Sequence, residues 1–150
     1  MFYFDGRGRE GMKFTTHVNE DKGVVAVRIM NGMDQMIDEY YMFCHKHEAP
    51  FDRYYVDSFT KKYGKQIDKL VGLATCNTEA GDTFDIEFGT RLAQERAMTC
   101  FEGYRTKFYT GLCLKMDCVA ESASKRAEKS DERRCARIDR VNDLIEELKH

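Results

Sequence analysis

The feature that most constrains this chain is a long stripe. Advancing 100° per residue, Ile86, Ala93, Ala97, Cys100, Phe101, Tyr104, Phe108 and Leu112 fall on one side of a helix. A stripe of that length predicts a long helix with one face in a core. Asp82 is a good N-cap for it. Ala93, Ala97 and Gly111 lie on the stripe too, so another element is expected to approach closely there.

The covering elements follow from shorter patterns. Lys13 to Val18 alternates and is rich in threonine, which reads as a short strand. Asn19 to Gly23 is a turn by composition. Val24 to Met30 is β-branched and ends at Asn31-Gly32, the clearest strand of the chain. Met33, Met36, Ile37, Tyr40, Tyr41 and Cys44 then return every third or fourth residue, as in an amphipathic helix. Pro50 suits the first turn of a second helix, with Phe51, Tyr54, Tyr55, Phe59 and Tyr63 on its apolar face and Gly64 as its stop. A third strand is expected over Ile67 to Cys76, with Val71, Leu73 and Thr75 on one face.

After the long helix, Ser122 to Arg134 is polar and mixed in sign, either a hinge or a solvated helical segment. A last helix is expected from about Asp131. Its Ile138, Val141, Ile145 and Leu148 form a narrow seam, suited to one neighbouring helix or to a symmetry mate. The expected fold class is therefore α+β. A small antiparallel sheet packs on a long helix, a helical pair is inserted over residues 33–64, and a C-terminal helix follows. Residues 1–12 read as a flexible leader and 13–150 as a single domain.

Composition narrows the function. At 150 residues and 42% hydrophobic, the chain is long enough and apolar enough to bury a core. No apolar run approaches the roughly 20 residues that span a bilayer. The start lacks the apolar centre of a signal peptide, so the expected location is the cytoplasm. A net charge of −2 argues against a large nucleic-acid footprint. The cysteines at 44, 76, 100, 113, 118 and 135 are then expected to be free and buried rather than bridged.

Metal and catalytic motifs are weak. Cys44, His45, His47 and Glu48 are zinc-compatible residue types. Adjacent helical residues diverge by about 100°, however, and no second ligand pair follows at a recognised spacing. Cys44 reads as core and the histidines as a solvated helix end. Gly6 to Gly11 lacks the lysine and hydroxyl residue of a phosphate loop. No nucleophile with a recognisable base is present. The expectation is a protein with no enzymatic activity, no metal and no cofactor.

One stretch says more. In GDTFDIEFGTRLAQERA, Phe84 and Phe88 lie roughly opposite the core stripe, on the side of Arg91 and Glu95. They pack on a strand folded over the helix start, on a partner subunit, or on a flat ligand. A nucleotide asks for an aromatic plane, for arginine on its phosphates and for carboxylate on its ribose. Phe84 or Phe88 would stack the base. Arg91, Arg96 and Arg105 would bind phosphates, and Asp85 the ribose. The acids at the helix start would repel a phosphate there, so it should sit nearer the arginines. One helix cannot present Arg91 and Arg96 to one point, so a site shared between subunits is expected.

The same stretch carries a resemblance. Gly72, Ala74, Cys76, Asp82, Phe84, Asp85, Gly89, Leu92, Ala93, Arg96 and Ala97 fit a pattern G-x-A-x-C, loop, D-x-F-D, G-x-x-L-A-x-x-R-A. The pattern resembles a group of small phage and prophage proteins. That group is similar to the first type of Thoeris anti-defence protein. The resemblance covers Leu70 to Lys107 closely and Lys13 to Val27 loosely. It does not cover 33–64. It implies a sponge that holds a cyclic ADP-ribose isomer or a cyclic oligonucleotide without cleaving it, as a homodimer or higher homo-oligomer. A second reading is an anti-CRISPR-like inhibitor that blocks a host defence protein by direct contact. Its surface would be Tyr54, Tyr55, Phe59 and Tyr63.

Overall fold

The computed structural model describes residues 11–76 and 85–150. The order of elements is β1 (Phe14–Asn19), β2 (Val24–Ile29), α1 (Gly32–Lys46), α2 (Arg53–Asp68), β3 (Val71–Thr75) and α3 (Ile86–Lys149). This is the expected α+β class. Of the leader expected over residues 1–12, residues 1–10 lie outside the described residues, and so does the Asp82 cap.

The sheet is antiparallel throughout, in the order β1-β2-β3. The β1–β2 hairpin turns at Gly23, whose φ of +60 suits glycine. Its register pairs Val18 with Val25 and Phe14 with Ile29. β3 returns beside β2 with Ala74 against Val25 and Gly72 against Val27. Alternation then gives one covered face, where Val25, Val27, Ala74 and the α3 residue Ala93 form a core with Phe14, Val18 and Leu92 against it. The residues that share the other face of β3, Val71, Leu73 and Thr75, are solvent-facing.

The stripe on α3 meets the sheet where the small residues stand. A Cβ on Gly72 would lie 1.8 Å from the Ala93 carbonyl oxygen and 2.5 Å from the Ala97 nitrogen. Strand and helix backbones therefore touch, as the alanines implied. Ala93, Ala97, Phe101 and Phe108 are fully buried. Ile86 and Cys100, placed on the same stripe from sequence, are exposed. The sheet and the helical pair cover the face around Ala97 and Phe101, and these two positions lie at its margins.

α1 and α2 are inserted between the neighbouring strands β2 and β3. They close on α3 through rings. Phe108 lies 5.0 Å from Phe59, 5.2 Å from Tyr40 and 5.2 Å from Tyr55, all edge-on. The Tyr55 hydroxyl donates to the Phe108 carbonyl. Asp52 caps α2 by accepting from the Tyr55 N–H at 3.0 Å. α2 runs through Gly64 to Asp68, so Gly64 is a buried interior position and not the stop, and Ile67 is a helical core residue rather than the start of β3. Burial also pushes the Tyr40 phenol up to about 12, while its oxygen accepts the Asp52 N–H at 3.1 Å.

The chain divides into two compact units, Met1–Phe108 and Tyr109–His150. In the second, of the two readings left open for Ser122–Arg134, the solvated helix is the one found. α3 continues through Ser122–Arg134 as a solvated helix and includes the seam that was expected on a separate C-terminal helix. The physical reason is compositional: Leu112 to His150 holds no glycine or proline, so nothing stops the helix. All six cysteines are free, but only Cys44 is buried and Cys100, Cys113, Cys118 and Cys135 are exposed.

Candidate functional site

The start of α3 is set by Asp85. Its Oδ1 accepts the Phe88 N–H at 3.1 Å and its backbone carbonyl accepts the Gly89 N–H at 2.9 Å. Gly89 is buried because a Cβ there would meet Val25 of β2 at 3.0 Å. With that side pressed on the sheet, the neighbouring side of the first turns faces out. Phe88 is 58% exposed. Phe84, the other candidate stacking ring, lies outside the described residues.

The candidate arginines are not brought together. Arg96 donates from Nη1 to the Leu73 carbonyl at 2.7 Å, which occupies an oxygen on the free edge of β3. Arg105 ties α3 to α1. Its Nε lies 3.2 Å from Glu39 Oε2, its Nη1 bonds Glu102, and its guanidinium sits 5.0 Å from the Phe101 ring centre. That Nε–Glu39 contact is an ion pair without hydrogen-bond alignment, for the buried Nε has no aligned acceptor. From Arg91 to Arg105 is fourteen residues, about 21 Å along a helix. Arg91 alone of the three is exposed with no hydrogen bond or ion pair among the described residues.

What remains is a short ladder. Asp85, Phe88 and Arg91 follow at three-residue spacing on the first two turns, and Glu95 comes one turn later. The ladder offers a bare ring for stacking, one unpaired cation and carboxylate acceptors. Asp85 has one oxygen committed to the cap. The reason for expecting a site shared between subunits falls away, since Phe88 and Arg91 share one side of one helix.

The aromatic surface proposed on α2 is mostly interior. Phe59 is buried against Phe108 and Tyr63, Tyr55 is held by Phe108, and Tyr63 meets Tyr104 edge-on at 5.7 Å. Only Tyr54, 85% exposed, is left to meet a partner. The 3,4 spacing that suggested a surface was the signature of a core face.

His45 and His47 end α1 in solvent, as expected for a helix C-terminus. Among the described residues no group of three or more metal-ligand types converges, and no helix is long and apolar enough to cross a membrane. Sequence reasoning missed Arg28, which donates from Nε and Nη2 to the Asp68 carbonyl at 3.1 and 2.7 Å. A lone arginine inside a β-branched run was the available signal. Its role is to pin β2 to the end of α2.

No protein-family model, curated protein or solved structure matches the chain.

Proposed function

We propose that this protein binds a small cyclic nucleotide and holds it without cleaving it, in the manner of a phage anti-defence sponge. The observation that carries the reading is the exposed Phe88 beside the unpaired Arg91 at the capped start of α3. A bare phenylalanine next to a bare arginine suits a base and its phosphate, and base stacking contributes roughly 1–3 kcal/mol. The resemblance of Gly72 to Ala97 to the phage group supports the same ligand class. Asp85 and Glu95 supply acceptors for a ribose. Arg96 and Arg105, engaged in the fold, are left out of the site.

Thermal unfolding with a panel of cyclic ADP-ribose isomers and cyclic di- and trinucleotides tests this. A ligand at a hundredfold excess over its Kd stabilises by about 2.7 kcal/mol. The expected result is a raised Tm, with intact ligand recovered by mass. Phe88→Ala and Arg91→Ala should abolish the rise and leave the unliganded Tm unchanged. Cleaved ligand would make the protein an enzyme. No rise across the panel removes the nucleotide reading.

A further inference from the structure

The second unit has a surface with no use inside one chain. Every residue from Met116 to His150 is exposed. Among them are Met116, Val119, Ile138, Val141, Leu144, Ile145 and Leu148. A helix that buries nothing is marginal in water, because helical stability comes mostly from packing an apolar face. The seam needs cover. Folding back on itself would need a turn, and Leu112 to His150 has neither glycine nor proline.

We propose that the cover is the same helix of a second copy, running antiparallel, with residue i level with residue 261 − i. The spacing carries the proposal. Cys113, Met116, Ala120 and Ala123 are spaced 3, 4, 3, and so are Ile138, Val141, Ile145 and Leu148. Reversed against each other, the two sets coincide. Cys113 comes level with Leu148 and Met116 with Ile145. Ala120 comes level with Val141 and Ala123 with Ile138. Cys113, Ala120 and Ala123 of one copy thus receive Leu148, Val141 and Ile138 of the other, twice by symmetry. The step of fifteen from Ala123 to Ile138 makes four turns at about 3.75 residues each, so the pair unwinds locally in its middle.

Charge does not oppose this register: no two like charges come level between Leu112 and Lys149. A parallel in-register pair fares worse. It sets Arg134, on the seam side, against its own copy, whereas the antiparallel register sets it against Ala127. The proposal does not depend on the nucleotide reading.

Sedimentation of the full chain, together with a distance between spin labels, tests it. Cys118, exposed on the side away from the seam, is labelled after Cys76, Cys100, Cys113 and Cys135 are changed to serine, with buried Cys44 retained. The antiparallel register places the two labels twenty-five residues apart along the axis, about 38 Å. A parallel pair places them level, within about 20 Å. A dimer with the long distance is expected. A monomer at all attainable concentrations, or a dimer with the short distance, overturns the proposal. Ile138→Asp with Ile145→Asp should yield a monomer whose near-UV tyrosine signal is unchanged, and a persisting dimer overturns the seam.

Discussion

A methyl group on Gly72 would stand 1.8 Å from the Ala93 carbonyl oxygen, which is backbone and cannot swing aside. Strand and helix would have to part, and overpacking of this kind costs about 3 kcal/mol or more. Gly72→Ala should therefore lower the unfolding free energy from urea titration by that amount or prevent folding. An unchanged midpoint would mean that the β3–α3 contact is looser than described. The reciprocal half of this contact was legible in the sequence, as small residues on the α3 stripe. Gly72 itself was not singled out as the partner, because a glycine in a strand pattern is also compatible with a bulge or a turn. The same limit applied to the site. Phe88 and Arg91 could be placed on an outward face by angle alone. That Arg96 is spent on Leu73 and Arg105 on Glu39 depends on contacts 23 and 66 residues away in sequence.

α1 shows how an element carries its own pH dependence. Burial, and then repulsion from Asp34 one turn away, raise the Asp38 carboxyl above its ordinary 3.8. A carboxyl raised in the folded state holds its proton more tightly there than in the unfolded chain. Stability from this group is therefore greatest in acid and falls as pH rises through 3.8 and beyond. Asp38→Asn should raise stability at pH 7 by about 0.2–0.5 kcal/mol, the size of a like-charge i,i+4 penalty. The gain should vanish at pH 3. Paired thermal melts of the two proteins at both pH values measure it, and an equal gain at both would locate its cause elsewhere. Element ends were less legible than element cores. Gly64 reads as a stop, yet α2 runs on to Asp68 because Ile67 is fully buried beyond it. Packing outweighed a propensity of about 1 kcal/mol.

For the whole molecule, the division at Phe108 and Tyr109 makes a simple expectation. The buried residues that close the first unit, Phe101 and Phe108 among them, precede the exposed run that begins at Met116. A chain ending at Lys115 should fold with an unfolding free energy within about 0.5 kcal/mol of the full protein, the range of surface changes. It should also be monomeric. Loss of folding on this truncation would show that residues beyond 115 support the first unit.

Periodicity sufficed to set the α+β class, the sheet pairing through an inserted helical pair, and the long stripe on α3. These follow from repeats of two and of three to four residues, which any short window reveals. Burial was a different matter. Tyr54 and Phe59 were both expected on the apolar face of α2, yet one is 85% exposed and the other 6%. Phe108, distant in sequence, makes that difference. Likewise the polar run Ser122–Arg134 could have been a hinge or a helix, and the absence of any breaker left it helical. Which rings are core, and which arginines are free to bind, came from contacts between distant segments, because a side chain's partner is a property of packing and not of its neighbours in the chain.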